Sequence, residues 1–192
     1  RKYMLMPPLE PSQGFYALAE LERRGKLQCS IANNVHNLPG RAGCKKILNL
    51  HGTIYDNECP RCGKKYSMEY MRDSRKVPLC QECMVPVRPK VLLFGEQVDN
   101  QVMTEAVGVI SRAEVLLLLG TSINSGLCDG YVQYFHGKTM IIIHAQKHFT
   151  DEKADVVLHE EVKSALPRIV WPEGRDDGSA ESENAENAEN AD

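Results

Sequence analysis

Four cysteines constrain this chain more than any other feature. Cys59-Pro-Arg-Cys62 and Cys80-Gln-Glu-Cys83 are two C-x2-C pairs separated by 17 residues. Each pair puts two thiols on one side of a tight turn, and two such knuckles complete a tetrahedron around zinc. Pro60 and Gly63 are suitable turn formers within and after the first knuckle. Four reduced or redox-active thiols are the other reading of the same spacing. Four thiolates leave no position open for water or substrate, so a zinc ion held here is structural and folds a segment too small to own a core. The chain has seven cysteines, and Cys29, Cys44 and Cys128 stand alone as small apolar core candidates. An odd count with two tight pairs favours metal ligation in a reducing compartment over a secreted disulfide framework.

Composition narrows the remaining classes. With 192 residues, 42% hydrophobic and 26% charged, the chain is of ordinary globular type. Its longest apolar run, Val115 to Leu119, is five residues, against about 18 for a membrane span. The formal charge of −3 is uneven: eight acids and one base lie between Glu173 and Asp192, leaving 22 bases over 18 acids elsewhere. That mild positive balance suits anionic cofactors and is too small for a nucleic-acid footprint. No membrane partner is expected, and oligomeric state is left open. The sequence begins with Arg1 and carries no secretory pattern, which predicts an intracellular, cytoplasmic protein that is either processed upstream or a fragment.

The rest of the chain alternates. Prolines in RKYMLMPPLEP predict an irregular lead-in, and SQGFYALAELERR predicts a helix from Ser12 to Arg24 stopped by Gly25. Leu27–Ile31 and Ile47–Leu50 are of strand length. After Pro89 the pattern predicts a strand over 91–94, a helix over 100–112, a strand over 115–119, a helix around 131–135 and a strand over 139–144. A helix over 160–170 is expected to break or end near Pro167. Val115–Leu119 and Met140–Ile143 are apolar at every position, as strands covered on both faces by helices require. The fold class is therefore α/β, a parallel sheet with helices on both faces and an inserted zinc-binding module. The repeated Glu-Asn-Ala of the tail predicts disorder.

Three tripeptides surround the cysteine module in order. Leu50-His51-Gly52 precedes it, Phe94-Gly95-Glu96 follows it, and Gly120-Thr121-Ser122 ends the most apolar strand. A Gly-Thr-Ser turn at the carboxyl end of a buried parallel strand offers backbone N–H groups and hydroxyls where open α/β sheets bind ligands. On these motifs, together with ALAELERRGKL, IANNVHNLPGRAG, RPKVLLFGE, LLLLGTS and EKADVVL, the chain resembles the sirtuin family of NAD-dependent protein deacylases from about Pro11 to Val170.

The resemblance implies a Rossmann-like NAD domain, a structural zinc ion on Cys59, Cys62, Cys80 and Cys83, and an acyl-lysine protein or peptide substrate in the cleft between the domain and the zinc module. It implies NAD as co-substrate, with nicotinamide and O-acyl-ADP-ribose released. His51 matches the catalytic histidine, a general base on a ribose hydroxyl, a task suited to a side chain titrating near pH 6.5. Gly120, Thr121 and Ser122 match an NAD-contacting turn, and Phe94, Gly95 and Glu96 match the edge that aligns the peptide. Ala32-Asn33-Asn34-Val35-His36 stands where the family has Thr-Gln-Asn-Ile-Asp, so Asn33, Asn34 and His36 are implied cofactor contacts; His144 stands at the ribose-binding asparagine. The family's Gly-Ala-Gly-hydroxyl loop has no counterpart in these residues. The implied organisation is a first part of the NAD domain over 1–52, the zinc module over 53–88, a second part over 89–171 and an acidic tail over 172–192. An inactive binding module and a protein ADP-ribosyltransferase remain the alternatives. His136, His148 and His159 carry no implied role and are expected at the surface or in packing.

Overall fold

Helix α1 spans Gln13–Arg23, starting after extended Ser12. It ends in a Schellman arrangement: Lys26 N–H donates to the Leu21 carbonyl at 2.8 Å and Gly25 N–H to the Glu22 carbonyl at 2.9 Å, with Gly25 at φ 69°. Ala17 and Leu18 are its buried residues. They pack on Ala165, Leu166 and Val170 of helix α6, Val162–Val170. Gly14 lets the two helices approach closely, since a Cβ there would lie 3.2 Å from the Val162 carbonyl oxygen. This computed structural model describes residues 9–93, 95–123, 125 and 128–174. Residues 175–192 of the tail expected to be disordered and residues 1–8 of the lead-in lie outside the described residues.

The β-structure forms three sheets among the described residues. Strands β1, Ser30–Ala32, and β2, Ile47–Asn49, pair in parallel. Short helix α2, Leu38–Arg41, lies between them. Strand β3, Gly52–Glu58, pairs antiparallel with β4, Lys65–Tyr66, and with β5, Arg88–Val91. Helix α3, Met68–Asp73, belongs to the same region and is capped by Ser67, whose hydroxyl accepts from Tyr70 N–H. Helix α4, Asn100–Arg112, begins at Asp99, whose carboxylate accepts from the N–H groups of Gln101 and Val102. Then come β6, Val115–Leu119; α5, Cys128–Val132; β7, Thr139–Ile143; a 3-10 turn at Asp151–Lys153; and β8, Val156–Leu158. The parallel sheet runs β6-β7-β8, with Leu119 opposite Ile143 and Ile143 opposite Leu158.

Several sequence expectations shift. The strand expected over 91–94 lies at Arg88–Val91 and is antiparallel, because β3 extends into the cysteine region and recruits it. The strand expected over Leu27–Ile31 begins only at Ser30, since the turn closing α1 consumes Lys26 and Leu27 N–H groups. The helix around 131–135 lies at Cys128–Val132. Helix α6 runs through Pro167 to Val170. A proline inside a helix costs about 3 kcal/mol, a loss opposed by burial of Ala165, Leu166 and Val170 against α1. Strand β6 is less covered than its apolar sequence suggests: Val115 is 52% exposed, and only Leu118 is buried. Cys44 is buried as expected, whereas Cys29 and Cys128 are half-buried. No helix among the described residues is long and apolar enough to cross a membrane.

Candidate functional site

The zinc-type region is built from two equivalent turns. After Cys62, Gly63 adopts φ 73° and donates its N–H to the Cys59 carbonyl at 2.9 Å. After Cys83, Met84 adopts φ 55° and donates to the Cys80 carbonyl at 2.9 Å. The sulfurs of Cys59, Cys62, Cys80 and Cys83 all lie within 4.8 Å of one another. Donors point at them: Tyr66 Oη donates to Cys80 Sγ at 3.2 Å, and Arg61 N–H to Cys59 Sγ at 3.4 Å. The Tyr66 hydroxyl holds the Cys80 thiol down to about 6, while hydrogen bonding to Cys62 and burial push Cys83 up to about 12. Four facing thiols cannot all ionise without a cation among them, and tetrahedral thiolate sulfur is the donor set of structural zinc. Among the described residues the buried members of this small cluster are Cys59, Cys80, Met71 and Val87, so two of the four cysteines make up half of its core.

His51 sits between β2 and β3. Its neighbour Gly52 has φ 69°, and a Cβ there would come within 1.9 Å of the Lys90 carbonyl oxygen. Glycine is therefore required on both backbone and packing grounds. The His51 carbonyl accepts from Leu92 N–H at 2.9 Å, which draws the segment after β5 alongside the histidine. On the other side, Leu50 N–H donates to Ala32 and Ile54 N–H to Val35, both at 3.0 Å. Asn33, Asn34 and His36 are thus in the loop adjoining His51. Asn34 Oδ1 accepts from the N–H groups of His36 at 3.2 Å and Leu38 at 3.4 Å, shaping that loop. His36 Nδ1 and Asn49 Oδ1 are buried without a hydrogen-bond partner among the described residues. Buried polar atoms are nearly always paired, so such atoms suit a polar ligand. Gly95 and Glu96 close a turn, with Glu96 N–H donating to the Leu93 carbonyl at 3.0 Å and Leu93 N–H to Glu96 Oε2 at 2.9 Å. Arg88 also pairs with Glu96. The Leu93 N–H, then Arg88, hold the Glu96 carboxyl below its usual range. Phe94 lies outside the described residues.

The second cluster lies at the carboxyl edge of the parallel sheet. Gly120, at φ 65°, donates its N–H to the Ile143 carbonyl at 2.8 Å, and Thr121 Oγ1 donates to Ser125 Oγ at 2.8 Å. Gly120, Thr121, Ser122, His144, His148 and Glu161 help to line a crevice of about 580 Å³. It lies beyond the ends of the strands, where open α/β sheets take ligands. The structure thus brings Gly120, Thr121, Ser122 and His144 together. Contacts not foreseen from sequence surround His144: its Nε2 is 3.0 Å from Asp151 Oδ1, and His159 Nε2 is 2.8 Å from Asp151 Oδ2. Asp151 also accepts from His148 N–H at 2.9 Å; this bond first, then His159, holds its carboxyl down to about 2. His159 is at the surface, as expected, and also belongs to this polar cluster. The readable signal was its position directly after a DVVL strand parallel to the strand that ends at His144.

The chain is similar to known proteins over most of its length. Residues 1–125 match the family model described as the Sir2 family. Over 171 residues the chain is 32% identical to an NAD-dependent protein deacetylase of Clostridium acetobutylicum, covering 88% of this chain and 70% of that one. It is 33% identical over 175 residues to an NAD-dependent protein deacetylase of Cutibacterium acnes, covering 90% and 71%. A solved structure described as Sir2-p53 peptide-NAD+ superposes with a TM-score of 0.74 at 32% identity, covering 85% of this chain and 70% of that one. A match across more than half of the residues, with relatives aligned over more than two-thirds of their length, establishes that this chain belongs to the Sir2 family.

Proposed function

We propose that the protein is an NAD-dependent protein-lysine deacylase, a deacetylase in the first instance. Acyl-lysine peptide, NAD and one water are converted to free lysine, nicotinamide and O-acyl-ADP-ribose. The observation that carries this reading is the junction at His51. Left-handed Gly52 and the Leu92 N–H fix its backbone between the Asn33–His36 loop on one side and the segment leading to Gly95 and Glu96 on the other. A histidine between a cofactor loop and a substrate edge is placed to take a proton from a ribose hydroxyl and return it near neutral pH. Relatives named NAD-dependent protein deacetylase, and a similar structure described with peptide and NAD+, support the same activity.

In this reading Asn33, Asn34 and His36 meet the nicotinamide end of NAD, and His36 Nδ1, which has no partner among the described residues, offers a hydrogen bond. Gly120, Thr121, Ser122 and His144 hold the dinucleotide in the strand-end crevice. Phe94, Gly95 and Glu96 align the peptide. Zinc on Cys59, Cys62, Cys80 and Cys83 holds the 53–88 module that braces the peptide edge, between the 1–52 and 89–171 parts of the NAD domain. The test is product analysis with an acetyl-lysine peptide and NAD. Equal amounts of nicotinamide, deacetylated peptide and acetylated ADP-ribose are expected. Transfer of labelled ADP-ribose to protein without loss of acetyl would replace this reading with ADP-ribosyl transfer.

A further inference from the structure

We propose that His144, Asp151 and His159 form a second metal site, distinct from the cysteine cluster, that takes a divalent first-row transition ion at the edge of the strand-end crevice. The argument begins with register. Strands β7 and β8 are parallel neighbours, Ile143 lies opposite Leu158, and His144 N–H donates to the Leu158 carbonyl at 3.1 Å. The residues that leave the two strands, His144 and His159, are therefore adjacent, and their ring centroids are 5.7 Å apart. The chain between them returns through the 3-10 turn Asp151–Lys153 and inserts a carboxylate between the two rings.

That carboxylate is fixed before any ion arrives. Asp151 Oδ2 accepts from His148 N–H at 2.9 Å, and Asp151 N–H donates to the His148 carbonyl at 3.0 Å. The candidate ligand atoms of the three residues all lie within 4.8 Å of one another. Cis ligands held at about 2.1 Å from an ion stand roughly 3 Å apart; His144 Nε2 is 3.0 Å from Asp151 Oδ1 and His159 Nε2 is 2.8 Å from Asp151 Oδ2, so each imidazole already has one carboxylate oxygen at that spacing. His144 and Asp151 are each 8% exposed, whereas the His159 side chain is 33% exposed, leaving one approach open to solvent. Two imidazoles and one carboxylate with open positions favour iron(II), cobalt, nickel or zinc over magnesium or calcium, which prefer oxygen.

Without an ion, each Nε2–H can donate to Asp151. Binding an ion needs the lone pair of each Nε2, so a ligating ring carries its proton on Nδ1. The site stands independently of the deacylase reading, because its test reads metal content. The tag-free 192-residue chain is equilibrated with zinc and its bound metal counted, then exposed to a mild chelator. Two zinc ions per chain are expected, one held by the cysteines and one readily removed. His159→Ala should weaken the second by about 100-fold or more, beyond the 10- to 100-fold typical of losing a supporting partner, while the cysteine zinc stays. Asp151→Asn should act likewise. If that buried change unfolds the chain, His159→Gln on the exposed side supplies the second variant. His136→Ala should retain both ions. One zinc per chain in the unaltered protein, or a second zinc that survives the His159 substitutions, would overturn the proposal.

Discussion

The cysteine module and the strand-end crevice both gather polar residues, yet they are assembled in opposite ways. In the module, ligands separated by two intervening residues are brought together by local turns, and Cys59 and Cys80 supply half of the buried cluster. At the strand ends, Gly120 and His144 line the crevice and His159 lies beside His144; the three follow different strands and are brought near one another only because β6, β7 and β8 align in one register. That sheet has an apolar interior of its own, including Ile142 and Ile143 at 0% and 1% exposure. The module consequently depends on its ion for folding, whereas the crevice depends on the sheet.

Removing the ion tests this contrast most severely. Structural zinc contributes on the order of 10 kcal/mol in small modules. Cys80→Ser should therefore abolish hydrogen-exchange protection from Cys59 to Val87 while β6, β7 and α4 keep theirs. Loss of protection across both regions would show that the sheet also depends on the module. Next in size is Gly52→Ala, at the joint between the regions. Its Cβ has no room beside the Lys90 carbonyl, and the positive φ adds strain, so a loss of roughly 3 kcal/mol or more is expected in denaturant melts. A change below about 1 kcal/mol would mean that β3 and β5 can separate freely.

A smaller, pH-dependent effect belongs to the helical side. Arg23 and Arg24 hold the Glu20 carboxyl at about 2, below its usual 4.5. Because the folded value is depressed, the stabilisation is present above pH 4.5 and is lost as pH falls towards 2. Glu20→Gln should flatten that part of the stability profile, and an unchanged profile would remove these ion pairs from the account. The smallest effect is expected at Met84, which holds the left-handed position that Gly63 occupies in the first knuckle. Met84→Gly should change stability by less than about 1 kcal/mol, with relief of strain opposing the greater freedom of the unfolded chain. A large loss would give the Met84 side chain a packing role despite its exposure.

The same contrast explains what could be read from the sequence. Fixed C-x2-C spacing made the knuckles legible, and continuous apolar runs located β6 and β7 to the residue or nearly so. Asp99 and Gly25 punctuate their helices by short-range hydrogen bonding, which is also local information. Strand β3 was missed because Gly52–Glu58 contains no apolar run; its order comes from pairing with Arg88–Val91. Pro167 misled because helix propensity carries no knowledge of α1, which buries the far end of α6. His51 and the Gly120 turn stand out in the sequence as candidates through their motifs, whereas the His144–Asp151–His159 cluster required the β7–β8 register.

The central claim is that His51 performs acid–base work at a site the fold has already assembled. Its most direct test is nicotinamide release from NAD with an acetyl-lysine peptide, comparing the unaltered chain with His51→Ala at equal zinc content and equal thermal stability. Peptide-dependent release that falls by about 10²- to 10⁴-fold in the variant is predicted. Equal release from both proteins, or none from the folded, zinc-loaded unaltered chain, would contradict it.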